Sequence, residues 1–235
     1  MRKYFYASLL LNFIGLSLIG YALVKIGSPR YLYQLVQYHG QGIVALKKHR
    51  TSLLEQLPVA GTKIVMFGNS ITAECEWAEL LQNPNVVNRG VIGDCTGDIL
   101  ARLSTVTKPA PKQIFLLIGV NDLLYLPIDS IIKNFGTIIF RIKNEAPQTQ
   151  LFIESLLPIN NNLRRSGTLN SDILILNKSI KAICAQNSIS FIDTHTAFCD
   201  TQGQLNEKFS LDGIHLNGEG YRLLANLIKE MMNDE

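Results

Sequence analysis

Between residues 63 and 192 the chain repeats one pattern: a short run of Ile, Val, Leu, Met or Phe, a polar turn, then a longer helical stretch. The apolar runs are Lys63–Phe67, Asn85–Val87, Ile114–Ile118, Leu151–Glu154 and Ser190–Ile192. The helical stretches are Glu74–Gln82, Asp98–Leu103, Ser130–Asn144, Ser171–Gln186 and, closing the chain, Gly218–Met232. A strand with one face in water alternates polar and apolar residues, whereas a continuously apolar strand is covered on both faces. Strands separated by helices pair in parallel, because each crossover travels back along the sheet. The pattern predicts an α/β fold, a three-layer α/β/α sandwich around a parallel sheet of about five strands. Ligands of such sheets collect at the carboxyl ends of the strands.

Several polar blocks fall at that edge. The first run leads into Gly68-Asn69-Ser70-Ile71-Thr72, the second into Asn88-Arg89-Gly90, the third into Gly119-Val120-Asn121-Asp122. Near the other end of the chain stands Asp212-Gly213-Ile214-His215, in a loop-like stretch before the last helix. A serine hydroxyl is a poor nucleophile until a base takes its proton, and the base works best when a carboxylate holds its tautomer. Ser70, His215 and Asp212 are candidates for those three roles. The Ser70 N–H, the Gly90 N–H and the Asn121 side-chain amide are candidate donors to an oxyanion. Removing one such donor typically costs about 10²–10³ in rate. Singly, each residue also has an ordinary explanation: an N-cap serine, a turn glycine, an Asx-turn asparagine, a capping aspartate. On spacing alone His195 competes with His215, since it follows the fifth run and has Asp193 two residues before it. His39 and His49 precede the domain and receive no catalytic role.

Composition narrows the classes. At 235 residues, 47% hydrophobic and a formal charge of +3, one main core is expected. No long Lys/Arg stretch is interleaved with aromatics, which removes support for nucleic-acid binding. Lys47-Lys48-His49-Arg50 reads as a solvated helix face or a membrane-surface contact. Cys75, Cys95, Cys184 and Cys199 have no spacing that fixes a bridge, although Cys75 and Cys95 each fall five residues after an active-face position. Separate thiols are the expectation, and no Cys or His pair has metal-ligand spacing, so no metal is expected. Acyl transfer through Ser70, His215 and Asp212 requires no organic cofactor. Gly-x-Gly-x-x-Gly does not follow the first run, and Ser70 lacks the Gly-x-Ser-x-Gly frame of α/β-hydrolases.

Tyr4 to Val24 contains 21 residues and no charge. As a helix it measures about 32 Å, against a hydrocarbon core of about 30 Å. It reads as a single uncleaved membrane anchor, because it is long for a signal-peptide core and no Ala-x-Ala site follows. Basic residues flank both ends, and the N-terminal amine tips the orientation toward an exported domain. The organisation expected is an anchor over 1–25, a helical linker over 26–60 interrupted by Gly40 and Gly42, and a main domain over 61–235.

Taken together and in order, the four blocks resemble those of the SGNH (GDSL-like) hydrolases, over roughly Gly61 to the C-terminus. Asn88-Arg89-Gly90 and Ser155-Leu156-Leu157-Pro158 look like the branch holding platelet-activating-factor acetylhydrolase subunits and sialate O-acetylesterase-like bacterial proteins. The resemblance implies a flavodoxin-like fold, Ser70 as nucleophile, His215 rather than His195 as base, and Asp212 orienting it. It also implies Gly90 and Asn121 as oxyanion donors beside the Ser70 N–H. Asn69 stands where the family usually has aspartate. The activity implied is that of a serine esterase removing short acyl groups, acetyl first, from glycan esters. A lipid ester is the second substrate class, and a non-catalytic envelope glycan-binding module is the alternative of another kind.

Overall fold

The structure, a computed structural model, describes residues 29–57, 63–163 and 166–232, together with 6, 12–17 and 20–21. Strands β1 (Ile64–Gly68), β2 (Val86–Gly90), β3 (Gln113–Leu117), β4 (Gln150–Glu154) and β5 (Ser190–Ile192) form one sheet in the order β2-β1-β3-β4-β5. Every neighbouring pair is parallel. The five apolar runs are the five strands, and the inner strands β1 and β3 are buried at every position.

Successive side chains on a strand point to opposite faces, and here both faces are covered. Val65, Phe67, Ile114 and Leu116 enter one core; Met66, Phe115 and Phe152 enter the other. The helices in chain order are α1 (Pro29–Gln56), α2 (Ser70–Ala73), α3 (Trp77–Leu80), α4 (Thr96–Arg102), α5 (Ser104–Thr107), α6 (Ile128–Glu145), α7 (Asn170–Gln186), α8 (Thr194–Phe198) and α9 (Gly218–Met232). The first core takes buried residues from α4 to α7, the second from α2, α3, α8 and α9. In α6 the buried positions Ile131, Phe135, Ile138, Ile139 and Ile142 recur every three or four residues, one stripe facing the sheet.

From β1 the chain moves outward to β2, then returns past β1 to β3 and onward. The direction therefore reverses between β1 and β3, and a crevice opens at their carboxyl ends. Ser70 follows β1 and Asn121 follows β3, so both stand at that crevice.

Some expectations change. The helix expected over Glu74–Gln82 is instead two short pieces, α2 starting already at Ser70 and α3 at Trp77. Asn69 starts α2: its Oδ1 accepts the Ile71 N–H at 3.1 Å. Within the linker, read as one or two helical pieces, residues 29–56 form one continuous helix, α1, that runs through Gly40 and Gly42. The chain falls into two units, 1–48 and 49–235. The last turns of α1 belong to the second, where Leu54 is buried and Arg50 Nε donates to the Gly90 carbonyl at 3.3 Å. Among the described residues no helix is long and apolar enough to cross a membrane. The anchor expected over residues 1–25 lies mostly outside the described residues. The four cysteines are free thiols; burial pushes Cys75, helped by nearby Glu76, up to about 12 and Cys184 up to about 11.

Candidate active site

Ser70 is the first residue of α2, immediately beyond the sheet. Its backbone N–H belongs to the first turn, where no intrahelical acceptor exists. A helix of four residues does not hold itself in water, so its neighbours fix it. Asn88, on β2, donates through Nδ2 to the carbonyls of Thr72 at 2.9 Å, Ala73 at 3.2 Å and Cys75 at 2.9 Å. Trp77 Nε1 donates to the Thr72 carbonyl at 2.8 Å, and the Tyr221 hydroxyl of α9 donates to the Ile71 carbonyl at 2.9 Å. The hydroxyl of Ser70 thus rides on a short helix anchored from β2, α3 and α9.

Asp212 and His215 are joined by an Asx-type turn. Asp212 Oδ1 accepts the N–H groups of Ile214 at 2.9 Å and His215 at 2.8 Å. Its Oδ2 lies 2.8 Å from His215 Nδ1, and His215 Nε2 lies 3.1 Å from Ser70 Oγ. A carboxylate only accepts, so Nδ1 carries the ring proton and Nε2 faces the serine as an acceptor. Burial pushes the Asp212 carboxyl up, but hydrogen bonds from the His215 ring and from the N–H groups of His215 and Ile214 outweigh it and hold the group at about 2. Ser70 is 7% exposed, while the His215 and Asp212 side chains are 33% and 37% exposed. The hydroxyl sits at the bottom of the site and the imidazole reaches it from an open rim.

Asn121 Nδ2 donates to the Asp94 carbonyl at 2.9 Å, which uses one of its two amide hydrogens. Its neighbour Asp122 turns away. The Asp122 carboxylate takes the Thr96 N–H at 3.0 Å on both oxygens, closing the start of α4. Burial pushes its pKa up, against the hydrogen bonds from Thr96.

Gly90 does not fill the role expected of it. Its N–H donates to Asn88 Oδ1 at 2.8 Å and is committed at the end of β2. The glycine is required for another reason: a Cβ there would stand 2.2 Å from the Ala73 nitrogen, so only glycine lets β2 approach α2 this closely. The sequence reading missed Gly93, three residues on. It lies between Val91 and Asp94, which close a turn through Asp94 N–H to the Val91 carbonyl at 3.2 Å, and its φ is +76°. That turn, not Gly90, is the part of the β2–α4 connection that Asn121 grips. The signal available was the pair Gly93-Asp94 itself, a turn dipeptide at the active edge.

His195 stands apart from the relay. It is buried on α8, its N–H donates to Ser155 Oγ at 2.7 Å, and its Nδ1 lies 3.5 Å from Cys199 Sγ. Asp193 caps the same helix by accepting the Thr196 N–H at 3.1 Å. Among the described residues no group of three or more His, Cys, Asp or Glu is arranged to hold a metal ion.

The family model described as the GDSL-like Lipase/Acylhydrolase family matches residues 66–223. The chain belongs to that family. Its members are serine ester hydrolases, and this acylhydrolase is one. It is 24% identical over 161 residues to the Homo sapiens platelet-activating factor acetylhydrolase IB subunit alpha2, covering 66% of this chain and 68% of that protein. To the Bos taurus alpha1 subunit it is 23% identical over 184 residues, covering 74% and 78%. Among solved structures, a putative platelet activating factor protein from Streptococcus pneumonia superposes with a TM-score of 0.78 at 25% identity, covering 85% of this chain and 99% of that one.

Proposed function

We propose that this acylhydrolase removes an acetyl-sized acyl group from an alcohol oxygen through an acyl-enzyme on Ser70. The observation that carries the reading is the relay itself, 3.1 Å from Ser70 Oγ to His215 Nε2 and 2.8 Å from His215 Nδ1 to Asp212. His215 takes the serine proton as Oγ attacks the ester carbonyl, then returns it to the leaving alkoxide. In the second half it deprotonates the water that releases the acid. The Ser70 N–H, the Asn121 amide and the Gly93–Asp94 turn are the groups read as facing the oxyanion.

Acyl length is read from a small cavity whose lining includes the chain neighbours of Ser70 and the residue before His215. Asn69, Ile71, Leu117, Leu157, Pro158 and Ile214 line it, and the centre of a water-sized group has about 10 Å³ to move in. That is room for about one such group, the size of a methyl. The word acetylhydrolase in the names of the curated relatives points the same way.

For the alcohol we read an O-acetylated glycan, because the half-open Asp212–His215 rim lets a bulky alcohol stay outside. A lipid alcohol is the second reading, favoured by exposed apolar side chains on the segments that follow Asn121 and β4 and precede Asp212. Leu124 and Tyr125 follow Asn121, Leu163 and Leu169 lie beyond β4, and Leu211 precedes Asp212; Tyr125 and Leu211 are 76% and 85% exposed. Exposed apolar clusters of this kind mark contact surfaces. The charge-free run Tyr4–Val24 supports a place at a membrane for the same enzyme.

Hydrolysis of p-nitrophenyl acetate, butyrate and octanoate tests the acyl assignment, with Ser70→Ala as control. The reading expects kcat/KM to fall steadily with chain length; a preference for octanoate overturns it. A sugar acetate compared with a long-chain alkyl acetate then separates the two alcohols.

A further inference from the structure

We propose that Arg102 is a positioning residue for the oxyanion donors, acting through Asp94. The proposal rests on the reading of Ser70 as nucleophile and Asn121 as donor. Arg102 is the last residue of α4 and only 8% exposed. Its Nε donates to Asp94 Oδ2 at 2.8 Å, its second terminal nitrogen to the Gly68 carbonyl at 3.1 Å, and its guanidinium carbon lies 4.4 Å from the centroid of the Phe67 ring. Phe67 and Gly68 are the last residues of β1, and Ser70 comes two positions later. Asp94 receives the guanidinium on its side chain and the Asn121 amide on its carbonyl, the latter at 2.9 Å. One planar cation therefore sets the strand end that presents the nucleophile, the turn that carries Gly93, and the amide of Asn121.

Stability alone does not account for such a group. Asp94 is 1% exposed, so the pair is buried, and the desolvation of a buried ion pair commonly cancels its attraction. An apolar pair of similar volume would hold α4 to β1 equally well. What the guanidinium adds is direction. Its donors leave in fixed, coplanar directions while its face stacks on an aromatic ring, and a lysine ammonium reproduces neither. Direction matters here because an oxyanion donor acts only when it stands about 2.7–3.1 Å from where the oxyanion forms. A few tenths of an ångström of drift in the turn or in Asn121 weakens the transition state and leaves ester binding untouched.

The test uses the full chain with Arg102→Lys and Asp94→Asn. Active sites are titrated with a fluorophosphonate, kcat and KM are measured on p-nitrophenyl acetate well below Tm, and Ki is measured for phenylboronic acid, which adds to a serine hydroxyl as a tetrahedral anion. Arg102→Lys keeps the charge opposite Asp94. It is expected to lower kcat per titrated site at least about tenfold, with KM within about twofold. Ki for the boronate should rise by the same factor as kcat/KM falls. Asp94→Asn keeps one acceptor for Arg102 and should give a smaller loss of the same pattern. A lower Tm with kcat per site and Ki unchanged in both variants would show a purely structural clamp and overturn the proposal. If the wild type binds no boronate and Ser70→Ala is equally active, the nucleophile assignment fails, and the positioning role with it.

Discussion

Glu154 ends β4 with a carboxyl that is 2% exposed, and among the described residues its Oε2 has no hydrogen-bond partner. Strand alternation puts it on the face of Phe152 rather than that of Ile153, within the second core. Burial raises its pKa from an ordinary 4.5 to about 8, so the folded protein holds it as the neutral acid at pH 7. The unfolded chain releases that proton from about pH 4.5 upward and the folded chain only near 8, so the unfolded state binds fewer protons between them and stability falls as pH rises. The slope is about 1.4 kcal/mol per pH unit over about three and a half units, a total of about 5 kcal/mol. Glu154→Gln removes the ionisation and keeps the shape. Urea unfolding followed by circular dichroism at about pH 5, 6, 7 and 8 compares the two proteins. The difference in unfolding free energy should grow with pH in favour of the amide variant, by roughly 1 kcal/mol per unit. A fixed cost of the amide shifts both ends equally and leaves the slope. Parallel stability curves would refute the reasoning and mean that Glu154 is solvated or paired when ionised.

Further outcomes follow from the same contacts. Asp212→Asn keeps the turn but loses the acceptor that fixes the His215 tautomer, and kcat should fall by about 10²–10⁴ on p-nitrophenyl acetate. Because Asp212 is held at about 2, the wild-type kcat/KM profile should show no inflection from this carboxylate at ordinary carboxylate pH. His195→Gln should leave kcat/KM within about twofold, since the ring is outside the relay. Burial lowers the His195 pKa, against Asp193, so the wild type loses stability as pH falls below about 6.5 and the variant lacks that loss. Asn88→Ala removes the amide that holds three carbonyls near Ser70 and accepts the Gly90 N–H. At about 1 kcal/mol per hydrogen bond it should cost about 2–4 kcal/mol by denaturant titration and lower kcat as well.

The sheet was legible because its strands are short, continuously apolar and bounded by polar turns, a pattern that parallel pairing between two helical layers demands. Helices α6, α7 and α9 were legible because 15 or more residues carry a clear stripe. Helices α2, α5 and α8 are four or five residues long, less than two turns, and leave no period to read. The start of α2 was further hidden by Ile71 and Thr72, whose branched side chains favour strands. Gly90 and Gly93 stand three residues apart in one connection, and only the position of the Asn88 side chain shows that the first N–H is already engaged. The same holds for the two histidines: His195 follows β5 at the active edge, but the folded path of the Ser210–His215 turn is what brings His215 to Ser70. Arg102 and Asp94 left no sign in spacing, because their partners are a carbonyl on β1 and an amide after β3.

The account turns on Ser70 being the nucleophile and His215 its base. Intact-protein and peptide mass spectrometry after reaction with a fluorophosphonate tests this most directly, on wild type, Ser70→Ala and His215→Ala. The prediction is a single adduct on the Ser70 peptide, none in Ser70→Ala, and labelling slowed by about 10² or more in His215→Ala. An adduct on another residue, or labelling of His215→Ala at the wild-type rate, would contradict it.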